Sequence, residues 1–375
     1  MKKYYHLAGL TFSINVNDKY SQALAAYFSD KEIATAEEEP LLEIDVSSVK
    51  TEKEFHPEYF SLSGKISFNH TSFRIKGKRV TYVVSNLFDD TKTTRVVFAP
   101  GNISWLYRQL MALGGMGVGD HCKYALFTSD VANYSCLWYI FAITLMKREQ
   151  VFVHCGMMQS PDKERGTILT GTGGCGKTSM MMEIITHAGY RYMAEDFGIV
   201  GADGSIYDMQ KKAAIYQSDV KWGNPYLKKA IANLPAIQRI EWTLKKMLRR
   251  NPRHYFKPSE LFGGDIGHKA QLEKVFYLKR AVNDSNIQRI PLAAEQLAER
   301  AKTATFREVK ELYEILGNIR AVGGNAFYES YPSISELETK YKSILVKALD
   351  GVKCFELEVP MNVNPKYAVD YIVGK

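Results

Sequence analysis

The sequence predicts an α/β nucleotide-binding core, preceded by a β-rich α+β domain and followed by a helical C-terminal extension. Three observations lead there. Residues Gly171, Thr172, Gly173, Gly174, Cys175, Gly176, Lys177 and Thr178 spell a complete G-x-x-x-x-G-K-[ST] octet; a β-rich run precedes it and a helix-forming run follows; and the first hundred residues alternate short apolar segments with turn signals. At 375 residues the chain exceeds the usual size of one hydrophobic core, so a division into 1–150 and 151–375 is expected.

In the first part, Leu7 to Val16, Leu41 to Val46, Tyr59 to Phe68, Phe73 to Ile75, Val80 to Val84 and Arg95 to Phe98 read as antiparallel strands. Ser63-Gly64-Lys65 and Lys76-Gly77-Lys78 mark turns, and the polar stretch Ser29 to Glu39 is a loop or short helix. Helical patterns over Ile103 to Leu113 and Asp130 to Lys147 bracket Gly114-Gly115-Met116-Gly117-Val118-Gly119. Those glycines lack the G-x-G-x-x-G spacing and follow a helix, which reads as an interhelical loop. The longest apolar run, Cys136 to Met146, is too short to span a bilayer and is expected as a buried helix. No apolar stretch of signal length follows Met1-Lys2-Lys3, so cytosol is the expected compartment. Cys122, Cys136, Cys155, Cys175 and Cys354 are scattered without C-x-x-C spacing, which predicts free thiols and no structural metal.

From Val151 the texture changes to alternating strand, loop and helix, with a helical insertion over about 224–250. Beyond Pro252 come the strand-like Lys274 to Leu278, a charged helical run from Leu292 to Leu316, and a last strand, Lys353 to Val359, ended by Pro360. The formal charge is +8, and the most basic segment is Lys245, Lys246, Arg249, Arg250, Arg253, His254 and Lys257. Ile231, Leu234, Ile237, Ile240, Leu244 and Leu248 recur at spacings of three and four. The bases then form the solvated face of an amphipathic helix whose apolar face is buried, or else a docking surface for an acidic partner or phosphate groups. Nucleic acid is disfavoured, since no recognised nucleic-acid module accompanies the bases.

The octet carries the chemistry. Strand Gly166 to Thr170, glycine loop and helix Ser179 to His187 stand in the order a phosphate loop requires. Glycines let backbone N–H groups point inward around the phosphates, the helix N-terminus adds partial positive charge, Lys177 reaches the terminal phosphates and Thr178 can ligate magnesium. Residues Gly171 to Ser179 are therefore the expected ATP contacts. Cys175 is read as a small residue the loop tolerates, with a redox switch as the alternative.

Beyond Thr178, Tyr192-Met193-Ala194 runs into the adjacent acids Glu195 and Asp196, the second of them eighteen residues on. One helix and a turn at Gly189 return the chain to the sheet, which predicts that both acids end at the same sheet edge as the loop.

With these residues the sequence resembles the HPr kinase/phosphorylase family and its related kinases, distant cousins of ATP-type phosphoenolpyruvate carboxykinases. The likeness rests on an ordered set: Val151-Phe152-Val153-His154, then Gly166 to Gly171 into the loop, then Gly189-Tyr190-Arg191-Tyr192-Met193-Ala194-Glu195-Asp196. It spans about 150–208, with weaker echoes at Pro258 to Phe262, Lys279-Arg280 and Phe355 to Pro360. No counterpart of the family's segment after the acid pair is present, and the first 150 residues differ from its N-terminal domain, so HPr itself is not the expected acceptor.

The resemblance implies a kinase core of HPr kinase type that moves the γ-phosphoryl of ATP, with Mg2+, to a hydroxyl, foremost a serine of a protein or peptide. It gives Glu195 the acceptor proton and Asp196 a share of the magnesium with Thr178, though the two roles are exchangeable. His154 stands beside the γ-phosphate or the acceptor, or is a satisfied core histidine. Lys279 and Arg280 neutralise transferred phosphate or form a surface pair. Residues 1–150 are expected to serve acceptor recognition or assembly, homo-oligomers included. The rival readings are a kinase for a small-molecule hydroxyl and a nucleotide-gated regulator with little catalysis.

Overall fold

The computed structural model describes residues 1–36, 38–47, 59–60, 64–77, 80–101, 124, 126–128, 130–131, 136–209, 213–247, 253–263, 265–282, 286–361 and 363–374. The expected helix over Ile103 to Leu113, the loop from Gly114 to Gly119, Cys122 and the segment Leu248 to Pro252 lie outside the described residues. The chain is mixed α/β and divides into two compact units, Met1–Arg148 with Val309–Lys340, and Glu149–Glu308 with Tyr341–Lys375. The boundary falls two residues from the expected one, but 309–340, expected with the second part, pack into the first unit.

The first unit is built on a nine-stranded sheet of strands β1 (Lys2–Leu7), β2 (Leu10–Asn15), β3 (Glu32–Ile33), β4 (Leu42–Val46), β5 (Tyr59–Phe60), β6 (Ile66–Phe68), β7 (Ser72–Lys76), β8 (Val80–Ser85) and β9 (Thr94–Pro100), in the order β3-β1-β2-β4-β9-β8-β7-β6-β5. Two details depart from the sequence reading. Lys2 to Asn15 is a hairpin, turned at Ala8 and Gly9, which both adopt positive φ (54° and 83°) as a two-residue type I′ turn demands. Strand β4 runs parallel to both β2 and β9, not antiparallel. The crossover that parallel pairing needs is supplied by helix α1 (Lys19–Tyr27), started by Asp18, whose carboxylate accepts from Ser21 N at 2.8 Å. Helix α2 (Cys136–Met146) is buried as its apolar run predicts, with Phe141 edge-on to Phe12. The helix Lys310–Gly323 buries Leu312, Ile315, Leu316 and Ile319 and packs on β5 and β6, which is why the 309–340 segment belongs here.

The second unit contains β10 (Gln150–Val153), β11 (Cys155–Gln159), β12 (Arg165–Thr170), β13 (Arg191–Glu195), β14 (Gly198–Gly201), β15 (Ser205–Tyr207), the two-stranded pair β16 (Ala213–Tyr216) with β17 (Arg253–Phe256), the long β18 (Lys269–Ala281), β19 (Gln288–Pro291) and β20 (Lys353–Pro360). The main sheet runs β10-β14-β15-β18-β12-β11-β13, with β20 parallel to the C-terminal half of β18. Both β12 and β13 are antiparallel to β11, so they point the same way and end at one sheet edge. Between them, helix α3 (Lys177–Ala188) buries Met180, Met181 and Ile184 in a cluster with Leu169, Phe276, Leu278, Leu357 and Val359. Helix α4 (Gln217–Val220) precedes the stretch 224–250 expected as a helical insertion, which holds α5 (Pro225–Ala232) and α6 (Ala236–Met247), and α7 (Pro258–Phe262) and α8 (Ala294–Glu308) follow. The charged run from Leu292 is broken at Val309 (φ −106°, ψ 31°), where the chain leaves this unit. The amphipathic insertion is a correction: Leu234 is buried, but Ile240 and Leu244 are exposed, so that part of the apolar face meets solvent.

Candidate functional site

The loop after β12 is shaped by the glycines Gly171, Gly174 and Gly176, which all take positive φ. Gly171 (φ 146°) lies so close to β18 that a Cβ would stand 2.8 Å from Leu278 O, and Gly174 and Gly176 take φ of 78° and 95°. Such left-handed steps before a helix N-terminus turn main-chain N–H groups toward one concavity, where the helix dipole adds partial positive charge. Lys177, buried at the start of α3, donates to Gly171 O (3.0 Å) and Thr172 O (3.1 Å). The Cys175 side chain is buried, with Sγ 3.9 Å from Lys177 Nζ.

Arg280, near the end of β18, reaches the same loop. Its Nε donates to Cys175 O at 2.9 Å and Nη1 to Pro360 O at 3.1 Å, while a Cβ on Gly176 would lie 2.5 Å from Nη2. Half-burial holds its pKa below the ordinary arginine value. Among the described residues neither Lys177 nor Arg280 has a carboxylate partner; their hydrogen bonds go to main-chain carbonyls and, for Lys177, the Cys175 sulfur. Burying cations without counter-charges is unfavourable unless an anion completes the site. The neighbouring Lys279 faces the other way on the strand and pairs with Glu358. The two residues weighed together in sequence thus separate, and only Arg280 belongs to the loop.

Glu195 is buried at the end of β13. Thr178 Oγ1 donates to its Oε1 at 2.9 Å, and Ala214 N donates to its Oε2 at 3.2 Å. Asp196, one residue on, has φ 74° and a partly exposed carboxylate 3.7 Å from His154 Nε2. Of the two acids it is thus Glu195 that bonds the Thr178 hydroxyl, while Asp196 faces the histidine. Positive φ is rare outside glycine, with Asp among the tolerant residues, and such outliers cluster at functional sites.

Buried His154 sits between β10 and β11. Its N–H donates to Thr305 Oγ1 (3.0 Å), its carbonyl accepts from Thr170 Oγ1 (3.0 Å), and its Nδ1 lies 3.8 Å from Glu308 Oε1. Tyr341 OH donates to Phe152 O at 2.7 Å, supporting the strand that carries it. The adjacent Cys155 is fully buried, which raises its thiol to about 12 and keeps it protonated.

Ser179, named in sequence among the ATP contacts, donates its hydroxyl to buried Asp219 Oδ1 at 2.8 Å. Asp219 also accepts from Tyr216 N at 2.9 Å, and burial raises its pKa above 3.8. This acid went unnoticed in sequence, as did Thr305 and Glu308, because nothing in Tyr216-Gln217-Ser218-Asp219 distinguishes it from an ordinary helix cap. The donor set of one carboxylate, Glu195, and one hydroxyl, Thr178, fits Mg2+, which is commonly held by one or two carboxylates plus substrate phosphates. Among the described residues no group of three His, Cys, Asp or Glu could hold a metal by itself.

Neither a protein-family model nor a curated protein matches this chain.

Proposed function

We propose that the chain is an ATP-dependent phosphotransferase of HPr kinase type that transfers the γ-phosphoryl group to a hydroxyl, foremost a serine of a protein or peptide. The observation that carries this reading is the pair of cations without acid partners, Lys177 and Arg280, at a glycine loop whose Thr178 is bonded to Glu195. Phosphoryl transfer asks mainly for positioning and charge neutralisation. Lys177, Arg280 and the loop N–H groups supply positive charge for the triphosphate. Thr178 and Glu195 would hold Mg2+, which when bound neutralises charge on the phosphate oxygens. Asp196 is the better-placed base for the acceptor hydroxyl, because Glu195 has both oxygens engaged while Asp196 is partly open to solvent. His154 stabilises the Asp196 carboxylate and takes part in moving the proton. The sequence resemblance supports serine as acceptor and the alternative order of the two acids.

The test is incubation of the full chain with γ-labelled ATP and Mg2+ against serine-bearing proteins and peptides, beside a panel of small hydroxyl compounds. Label on a serine supports the proposal. ATP binding with no transfer to any acceptor favours a nucleotide-gated regulator, and label confined to small molecules moves the acceptor class.

A further inference from the structure

The net charge of this protein is not spread along it. Residues 217–257 hold ten Lys and Arg against two acids, a net +8 that equals the charge of the whole chain and leaves the remainder balanced at 39 against 39. One of those two acids, Asp219, is buried on Ser179, and the other, Glu241, pairs with Lys245. Among the described residues Lys221, Lys228, Lys229, Arg239 and Lys246 have no acid partner.

In the middle of this segment, helix α6 exposes the wrong face for a core helix. Ile240, Leu244 and Met247 are 60%, 53% and 73% exposed, and their spacing of four and three puts them on one stripe. The opposite face is the anchored one: Trp242 is buried and its Nε1 donates to Gln217 at 3.0 Å. Arg239 and Lys246, seven residues apart, form a line beside the apolar stripe.

We propose that α6 and its basic surroundings are a docking surface for an anionic lipid membrane, on which the helix lies flat with Ile240, Leu244 and Met247 in the headgroup boundary. Three features select this occupant. The apolar side chains stand on the exposed face of a helix, whereas a peptide ligand is taken by a groove or a sheet edge. The bases are dispersed over some forty residues, which suits a surface bearing many negative charges better than one short acidic motif. A polyanion such as nucleic acid would need no apolar stripe. A strongly amphipathic helix with flanking Lys and Arg is the form that lies in a bilayer interface.

The surface is independent of the nucleotide reading, so either can fail alone. The test is flotation of the full chain with vesicles of phosphatidylcholine, with and without about a third phosphatidylserine, at low and high salt. The expected result is binding only to the anionic vesicles, weakened by salt. Ile240→Ser/Leu244→Ser/Met247→Ser and, separately, Arg239→Glu/Lys246→Glu should each reduce binding more than tenfold. Because all five side chains are on the surface, circular dichroism spectrum and Tm should match the parent. No binding to anionic vesicles at low salt overturns the proposal, as does undiminished binding by the apolar triple variant. Tight retention on polyglutamate or duplex DNA, with vesicles ignored, overturns it in favour of an acidic protein or a nucleic acid.

Discussion

At the scale of the residue, the two adjacent acids are distinguished by their neighbours. Glu195 is fixed by Thr178 and Ala214 N, whereas Asp196 faces His154. Glu195→Gln is therefore expected to raise the Mg2+ concentration needed for activity and to recover at high Mg2+. Asp196→Asn should lower transfer by about a hundredfold or more at any Mg2+ level while ATP affinity changes little; a magnesium titration of both variants, with ATP binding measured in parallel, checks the pair. The reverse pattern would restore the assignment the resemblance gave. Both acids were legible in sequence because they end a strand one helix beyond the loop. Their different neighbours were not, because adjacent residues diverge in direction and Asp196, whose carbonyl accepts from Cys155 N, takes a left-handed φ. Asp219 offers a second residue-level test. Its pKa is raised by burial, so the folded state holds the proton more tightly than the unfolded one, and stability falls as pH rises from the unfolded value near 3.8 through the raised one. Asp219→Asn can keep both hydrogen bonds through rotation of the Ser179 hydroxyl, and removes the titration. The Tm of the variant relative to the parent should therefore rise between pH 4 and pH 7, and a constant difference would contradict the assignment.

At the scale of the element, Asn224 joins the insertion to helix α3. Its Oδ1 accepts from Tyr226 N (3.1 Å) and Leu227 N (3.4 Å) at the start of α5, while Nδ2 donates to Met182 O (3.2 Å), Glu183 Oε1 (3.1 Å) and Thr186 Oγ1 (2.9 Å) on α3. Asn224→Ala should cost about 2–3 kcal/mol, the sum of a lost cap and buried groups left unpaired. Asn224→Asp keeps the cap but sets a second carboxylate against Glu183, so it should not rescue the loss at neutral pH; denaturant titration measures both. Helix α5 begins where the helical stretch from about 224 was expected, and α2 covers its apolar run. The elements misread were those decided by tertiary context. The Ala8-Gly9 turn lacks the Asn-Gly signature, the parallel register of β4 depends on α1 crossing the sheet, and the exposure of Ile240 and Leu244 depends on which face of α6 Trp242 anchors.

At the scale of the molecule, the second unit is discontinuous, Glu149–Glu308 joined by Tyr341–Lys375 through a segment that packs in the other unit. A fragment beginning at 149 and running to the C-terminus is expected to bind ATP but to aggregate, because Leu312, Ile315, Leu316 and Ile319 lose the sheet they cover. Replacing 309–340 with a short Gly/Ser linker should give a soluble fragment that still binds, as light scattering with nucleotide titration would show; a soluble fragment that binds no ATP would mean the first unit contributes to the site. Sequence placed the boundary near 150 from the change in texture. The return of 309–340 was hidden because one charged helical pattern runs through the break at Val309. The most direct test of the central claim is calorimetric titration of the full chain with Mg2+ and ATP, beside Lys177→Ala. The parent should bind ATP, and the variant should bind at least tenfold more weakly with its Tm unchanged within a few degrees, since the loop backbone stays in place. Equal binding by parent and variant, or no binding by the parent, would contradict the phosphate-loop assignment on which the kinase reading stands.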